Sequence, residues 1–159
     1  RLPVSAQECA LSVTWHDAFL ASKTAQQTSW LFERVCLEFN LGALESAAGA
    51  GEDRREDEGL KKSCKHFQAA AGHFELIKSE LLPGLKGPVT PDLTPSGLQL
   101  ALQLMLAQAQ HCYFELAKRK HAAGQPMKPG VLARLAAQAG LFFAAALEAA
   151  RSSAMANVL

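Results

Sequence analysis

Paired cysteines, a surplus of either charge and long uncharged apolar runs are all missing from this 159-residue chain. Cys9, Cys36, Cys64 and Cys112 stand far apart, with no C-x-x-C among them. That spacing argues against a dense disulfide framework and fits four free thiols serving as small core side chains in a reducing cytosol. Lys plus Arg number 16 and Asp plus Glu 15, for a net charge of +1. General nucleic-acid binding needs a surplus of cations, and so does strong attraction to an anionic membrane, so neither is expected beyond weak peripheral membrane contact. The mean hydropathy of +0.02 and the short apolar runs predict no transmembrane helix. The opening RLPVSAQECA lacks the basic start and apolar centre of a signal peptide. What the chain does have is alanine, 29 of it, with a single tyrosine. Such a composition favours helix over sheet. The length suits one domain or a piece of one.

Punctuation divides the chain clearly. LSVTW, residues 11–15, alternates apolar and polar and predicts a short strand. LASKTAQQTS, 20–29, is polar and reads as a loop, with Thr28 or Ser29 placed to cap the helix that follows. Four helices are predicted, over about 30–49, 57–82, 95–121 and 131–153. The first carries two apolar lines, Leu31/Val35/Phe39 and Phe32/Cys36/Ala43, and so is expected to be covered on two sides. Gly49 and Gly51 are read as its left-handed end. The second has one seam through Leu60, Cys64, Phe67, Ala71 and Phe74, and stops at Pro83-Gly84. Thr94-Pro95 starts the third, with proline where its missing N–H costs nothing. Glutamines 103, 108 and 110 sit in this apolar helix and, if buried, need partners on a neighbouring helix. The fourth is apolar through Leu132, Leu135, Ala139, Phe142, Phe143 and Leu147.

Short or Pro/Gly-rich connections make sequential helices antiparallel neighbours. Leu41-Gly42, Cys64-x-x-Phe67 and Pro83 loosely follow a tetratricopeptide helix pair. Gly42, Ala43, Ala70 and Gly72 are small enough for close helix approach. The expected architecture is all-α, a tetratricopeptide-like antiparallel helical solenoid with a short strand near the N-terminus.

Catalytic and metal chemistry have little to stand on. There is no H-E-x-x-H and no His pair at i, i+4, and His111 and Cys112 diverge as adjacent helical residues. AAGAGED, residues 47–53, lacks the Lys-Ser/Thr of a phosphate loop. The carboxylates of EDRREDE, 52–58, form a solvated, charge-balanced run. The expectation is no catalysis, no metal and no cofactor. A wall of helix faces can instead receive a partner helix. Val131 and Leu135, at i, i+4, project together, Tyr113 can border the same groove, and Lys61 and Lys65, also i, i+4, can form a cationic rim. From periodicity alone an apolar i, i+4 pair is more often core, and a Lys pair more often a solvated face, than a groove.

Five runs change that balance: TWHDAF (14–19), FERVCLEFNLGALESAAGA (32–50), DEGLKKSCKHFQAAAGHFELIK (57–78), LMLAQAQHCYFELA (104–117) and LARLAAQAGLFF (132–143). In order, spacing and interrupting loops they resemble the BRO domain family, with its Alix-like, rhophilin-like and endosomal tyrosine-phosphatase-like members. The resemblance implies a helical domain with a tetratricopeptide-like core and a small sheet near its start, of which this chain covers a part. It also implies capture of the C-terminal amphipathic helix of an ESCRT-III subunit, in endosomal sorting and membrane scission, by a cytoplasmic protein recruited to endosomes. The family's acidic-then-basic element falls on Asp57 and Lys61, with Lys65 one turn on. Its apolar patch falls on Tyr113, Val131 and Leu135. The resemblance leaves open a structural or scaffolding segment of a rhophilin-like signalling protein with other partners.

Overall fold

A computed structural model describes residues 12–125 and 127–152. Two strands, β1 (Val13–His16) and β2 (Thr24–Gln27), pair antiparallel with Trp15 opposite Ala25. Four long helices follow: α1 (Trp30–Gly51), α2 (Asp57–Leu76), α3 (Pro95–Ala122) and α4 (Pro129–Ala150). Each packs mainly against its neighbour in sequence, giving an antiparallel helical stack.

The strand is shifted from the expected 11–15, and residue 11 lies outside the described residues. The polar segment expected as a loop contains β2. Its backbone pairs with β1 and turns only Ala25 inward, so no apolar run is needed to make it a strand. Trp15 meets Phe39 edge to face at 5.3 Å, and Phe39 meets Phe74 in the same way at 5.2 Å. This aromatic row joins the hairpin to α1 and α2. The Trp15 indole N–H donates to Asp92 (2.9 Å), a fully buried carboxylate that also accepts from the Ala18 N–H and the Thr90 hydroxyl.

Ser29 caps α1 by accepting from the Phe32 N–H, and Phe32, Val35, Cys36 and Phe39 are buried beneath it. Both expected apolar lines are covered, with Leu31 half-buried and Ala43 alone exposed, and a further face stays open. Leu37, Leu41 and Leu44 form an exposed apolar stripe along it. Gly49 and Gly51 do not end it in a left-handed turn either, since the helix runs through both and stops at an extended Glu52. The use of Gly49 is close approach. A Cβ there would lie 3.1 Å from His66 and Phe67 of α2, and the Ser63 hydroxyl donates to its carbonyl at 2.8 Å. Gly42 makes similar room for Phe74. Two interhelical pairs, His66–Glu45 (2.7 Å) and His73–Glu38 (2.8 Å), flank this seam.

The second helix is not uniform to Leu82. It widens into a π turn over Ile77–Leu81 and tightens into a 3-10 turn over Leu82–Gly84. The Ser79 hydroxyl donates to the Glu75 carbonyl, and Pro83 supplies no N–H, so the regular ladder cannot continue. At the third helix Thr94 accepts from the Gly97 N–H and Pro95 opens the first turn, as expected. The fourth helix is far more exposed than its apolar sequence predicts. Only Ala139 and Ala146 are buried, while Leu141, Phe143 and Leu147 face outward. By length and composition Pro129–Ala150 is apolar enough to cross a membrane, contrary to the expectation from short runs, and it lies packed along α3.

Candidate functional site

The seam between α2 and α3 opens into a groove. Leu60 and Leu116 are buried in it, and Cys64 and Cys112 stand between them. Lys61 and Lys65 are exposed on the α2 side because a four-residue step brings them to one face. Tyr113 stands opposite on α3, 53% exposed. An adjoining cavity of about 320 Å³ shares Cys64, Gln68 and Tyr113 and reaches Phe142 of α4.

The thiols keep the floor uncharged. Burial pushes Cys64 upward, with the neighbouring Cys112 adding to it, and burial pushes Cys112 upward too. The rim is cationic. Lys61 contacts Glu58 at 3.2 Å, and its hydrogen bond, followed by its charge, holds that carboxyl below the usual range.

A polar contact joins the helix that carries Tyr113 to the helix that carries Leu135. The Gln110 amide donates to the Leu135 carbonyl at 3.3 Å, which fixes how α4 lies along α3. This is one of the glutamines expected to need a partner on another helix. In an antiparallel pair, the step from Gln110 to Tyr113 and the step from Leu135 back to Val131 run in the same direction. Val131, 41% exposed, and the half-buried Leu135 share a helix face with Phe142, seven residues beyond Leu135.

Asp57 is placed differently from the others. It stands one turn before Lys61, outside the groove lining, and faces Arg119 of α3 at 3.7 Å. The Arg119 guanidinium also donates to the carbonyls of Arg54 and Arg55 at 2.6 and 2.7 Å. It thus straps the α1–α2 tip to α3. Lys61, Lys65 and Tyr113 therefore share one groove, Leu135 and Val131 lie on α4 outside its lining, with Leu135 tied to α3 through Gln110, and Asp57 belongs to the strap at its mouth.

The shared face of Lys61, Lys65 and Gln68 was legible from helical phase, whereas sequence reasoning missed the parts played by Arg119 and Phe142. The helical phase of Phe142 with Leu135 was a usable signal, since seven residues bring a side chain back to one face. Arg119 offered no such signal, because its partners are backbone atoms 64 and 65 residues away.

An antiparallel α-stack that opens from a small hairpin is the architecture of a helical solenoid. The sequence matches the BRO1-like domain over residues 1–158, and the chain belongs to that family. It is 38% identical over 148 residues to the Vacuolar protein-sorting protein BRO1 of Gibberella zeae, covering 93% of this chain and 14% of that protein. It is 36% identical over 149 residues to the human Programmed cell death 6-interacting protein, covering 90% of this chain and 17% of that one. Against the mouse Tyrosine-protein phosphatase non-receptor type 23 it is 34% identical over 160 residues, covering the whole chain and 9% of the relative. A solved structure described as the ALIX BRO1 CHMP4C complex superposes with a TM-score of 0.80 at 35% identity, over 90% of this chain and 40% of that one. The chain thus spans less than a fifth of the length of these curated relatives.

Proposed function

We propose that this chain is the part of a BRO1-like domain that receives an amphipathic helix, the C-terminal helix of an ESCRT-III subunit. One observation carries the reading: Tyr113 of α3 and the Lys61/Lys65 pair of α2 line a single groove with an apolar, uncharged floor. The structural neighbour described as a complex with CHMP4C supports the choice of partner.

In this reading Tyr113, Val131 and Leu135 take up the partner's apolar face, and burial of that face supplies most of the affinity. Lys61 and Lys65 set orientation by pairing with acidic residues on the partner. Asp57 acts through Arg119 at the mouth. The role is that of a non-enzymatic adaptor in endosomal sorting and membrane scission, in a cytoplasmic protein recruited to endosomes. Relatives named for vacuolar protein sorting support this setting.

The test is titration of a labelled CHMP4C C-terminal helix by fluorescence anisotropy. Leu135→Asp is expected to weaken binding by about 2 kcal/mol or more, as for a buried anchor. Unchanged affinity in a variant with intact circular dichroism would remove Leu135 from the interface and overturn the groove reading.

A further inference from the structure

Two cysteines face each other at one level of the α2–α3 seam. Leu60 of α2 and Leu116 of α3 line the same small cavity, of about 250 Å³. In an antiparallel pair, four residues forward along α2 and four back along α3 lead from them to Cys64 and Cys112. Both cysteines line that cavity too. After burial, it is the charge of Cys112 that pushes the Cys64 thiol upward, an influence that fades with distance.

The two thiols are not equivalent. Cys64 is half-buried and opens to solvent through the cavity, whereas Cys112 is 1% exposed. The Arg54 side chain reaches Cys112 from the α1–α2 tip, where Arg119 holds the Arg54 carbonyl at 2.6 Å. The Arg54 charge and hydrogen bond favour a Cys112 thiolate against the effect of burial. An accessible thiol beside a sheltered one with a cation at hand is the arrangement of a sulfur that is oxidised and a sulfur that resolves it. Cys36 is the contrast. It is buried on α1, and the charges that act on it, Asp92 and then Glu33, oppose a thiolate.

We infer that Cys64 and Cys112 close to a reversible disulfide across the seam when the chain meets a peroxide. The inference stands whichever partner the groove takes.

The step balances. Cys64 gives its proton to water, and its thiolate attacks one oxygen of hydrogen peroxide. The O–O bond breaks, Cys64 becomes a sulfenic acid, and the hydroxide released takes up that proton as water. The Cys112 sulfur then attacks the Cys64 sulfur and the S–O bond breaks. Hydroxide leaves and takes the Cys112 proton as a second water. Two thiols and one peroxide thus give a disulfide and two waters, with two electrons passed from the sulfurs to the peroxide. Burial keeps both groups as thiols at rest, so the pair answers sustained oxidant slowly, and a reducing cytosol reopens the bond. The bond joins residues 48 apart and fixes α3 against α2 at the level of Lys65 and Tyr113.

The test treats the reduced, unaltered chain with a graded series of hydrogen peroxide until half of the Cys64 thiol is consumed. Free thiols are then alkylated in denaturant and the chain is mapped by mass spectrometry. The lost Cys64 is expected in a peptide linked to Cys112, with a mass 2 Da below the two reduced peptides and with Cys36 still alkylated. Dithiothreitol is expected to restore both thiols. The oxidised chain is expected to melt at least about 5 °C higher, because the link closes a long loop in the unfolded chain. Cys64→Ser and Cys112→Ser should each abolish that gain.

Recovery of Cys64 as sulfinic or sulfonic acid, with Cys112 still free to alkylate, would overturn the pairing. So would a link from either residue to Cys9 or Cys36 in place of the other. Cys64 left untouched by peroxide that fully oxidises free glutathione would overturn it as well. These outcomes are read on the unaltered chain and hold even if a serine variant fails to fold.

Discussion

The Asp92 N–H donates to the Asp17 carboxylate across 3.0 Å, tying the β-hairpin to the short turn that launches α3. The other Asp17 oxygen accepts from the N–H groups of Phe19 and Leu20, each at 2.8 Å. Burial alone would raise the Asp17 carboxyl, but together these backbone donors outweigh it and hold the group below its usual value. Asp92 goes the other way, pushed up by its deeper burial despite its donors.

The lowered Asp17 value fixes the sign of a pH dependence. Its contribution to stability is complete above the unfolded carboxylate value near ~3.9 and is lost as the pH falls through the lower folded value. Asp17→Asn removes acceptor capacity from three N–H groups and should cost about 1–3 kcal/mol at neutral pH. Urea midpoints measured between pH 7 and pH 2 should show the gap to the unaltered chain narrowing as Asp17 protonates. A gap that stays constant over this range would contradict the assignment.

Lys61→Ala should weaken partner binding by less than Leu135→Asp does, because an exposed ion pair contributes only about 0–1 kcal/mol. The loss should shrink as salt is raised from 50 mM to 500 mM, since screening acts on exposed charges. Anisotropy titrations at several salt concentrations would check this, and equal losses throughout would exclude an electrostatic rim.

Two glycines should respond in opposite senses to alanine. At Gly59 a Cβ would land on the Asp53 carbonyl, a backbone atom that cannot swing aside. Gly59→Ala should therefore destabilise by roughly 1–3 kcal/mol through a forced shift of the α1–α2 tip. At Gly140, inside α4, a Cβ meets nothing within 4 Å. Gly140→Ala should stabilise by about 0.4–1 kcal/mol, mainly by restricting the unfolded chain. Thermal melts of the two variants provide the comparison.

The thiols supply a further measurement. Burial, followed by the charge of Asp92, pushes Cys36 up to about 12. Since the thiolate is the reactive form, a native-state disulfide reagent should modify Cys36 slowly at pH 8, and denaturant should release it. In a Cys9→Ser, Cys64→Ser background Cys36 and Cys112 should both be slow. Rapid native labelling at Cys36 would show that α1 opens far more readily than its packing implies.

Helix positions were legible because each helix carries its own punctuation. Ser29, Thr94-Pro95 and Pro83 act through local backbone hydrogen bonding, which sequence displays directly. The strand β2 was not legible, because TAQQ owes its conformation to a partner strand rather than to its side chains. The wide turn at Ile77–Leu81 was hidden for a related reason, since it depends on Ser79 competing with the ladder just ahead of a proline. In the candidate site, Lys61 and Lys65 could be paired by their four-residue step, whereas their meeting with Tyr113 depends on how α3 lies along α2. Asp57 was assigned a place beside Lys61 by resemblance alone, and its engagement by Arg119 is a long-range contact that no spacing encodes.

Among the described helices α4 packs along α3 alone, through Ala139, Ala146 and the Gln110 contact to Leu135, and buries fewer residues than α2 or α3. In this chain the amide protons of α4 are expected to exchange ahead of those of α2, and a ligand that bridges α2 and α4 would act as a clasp, slowing exchange most in α4.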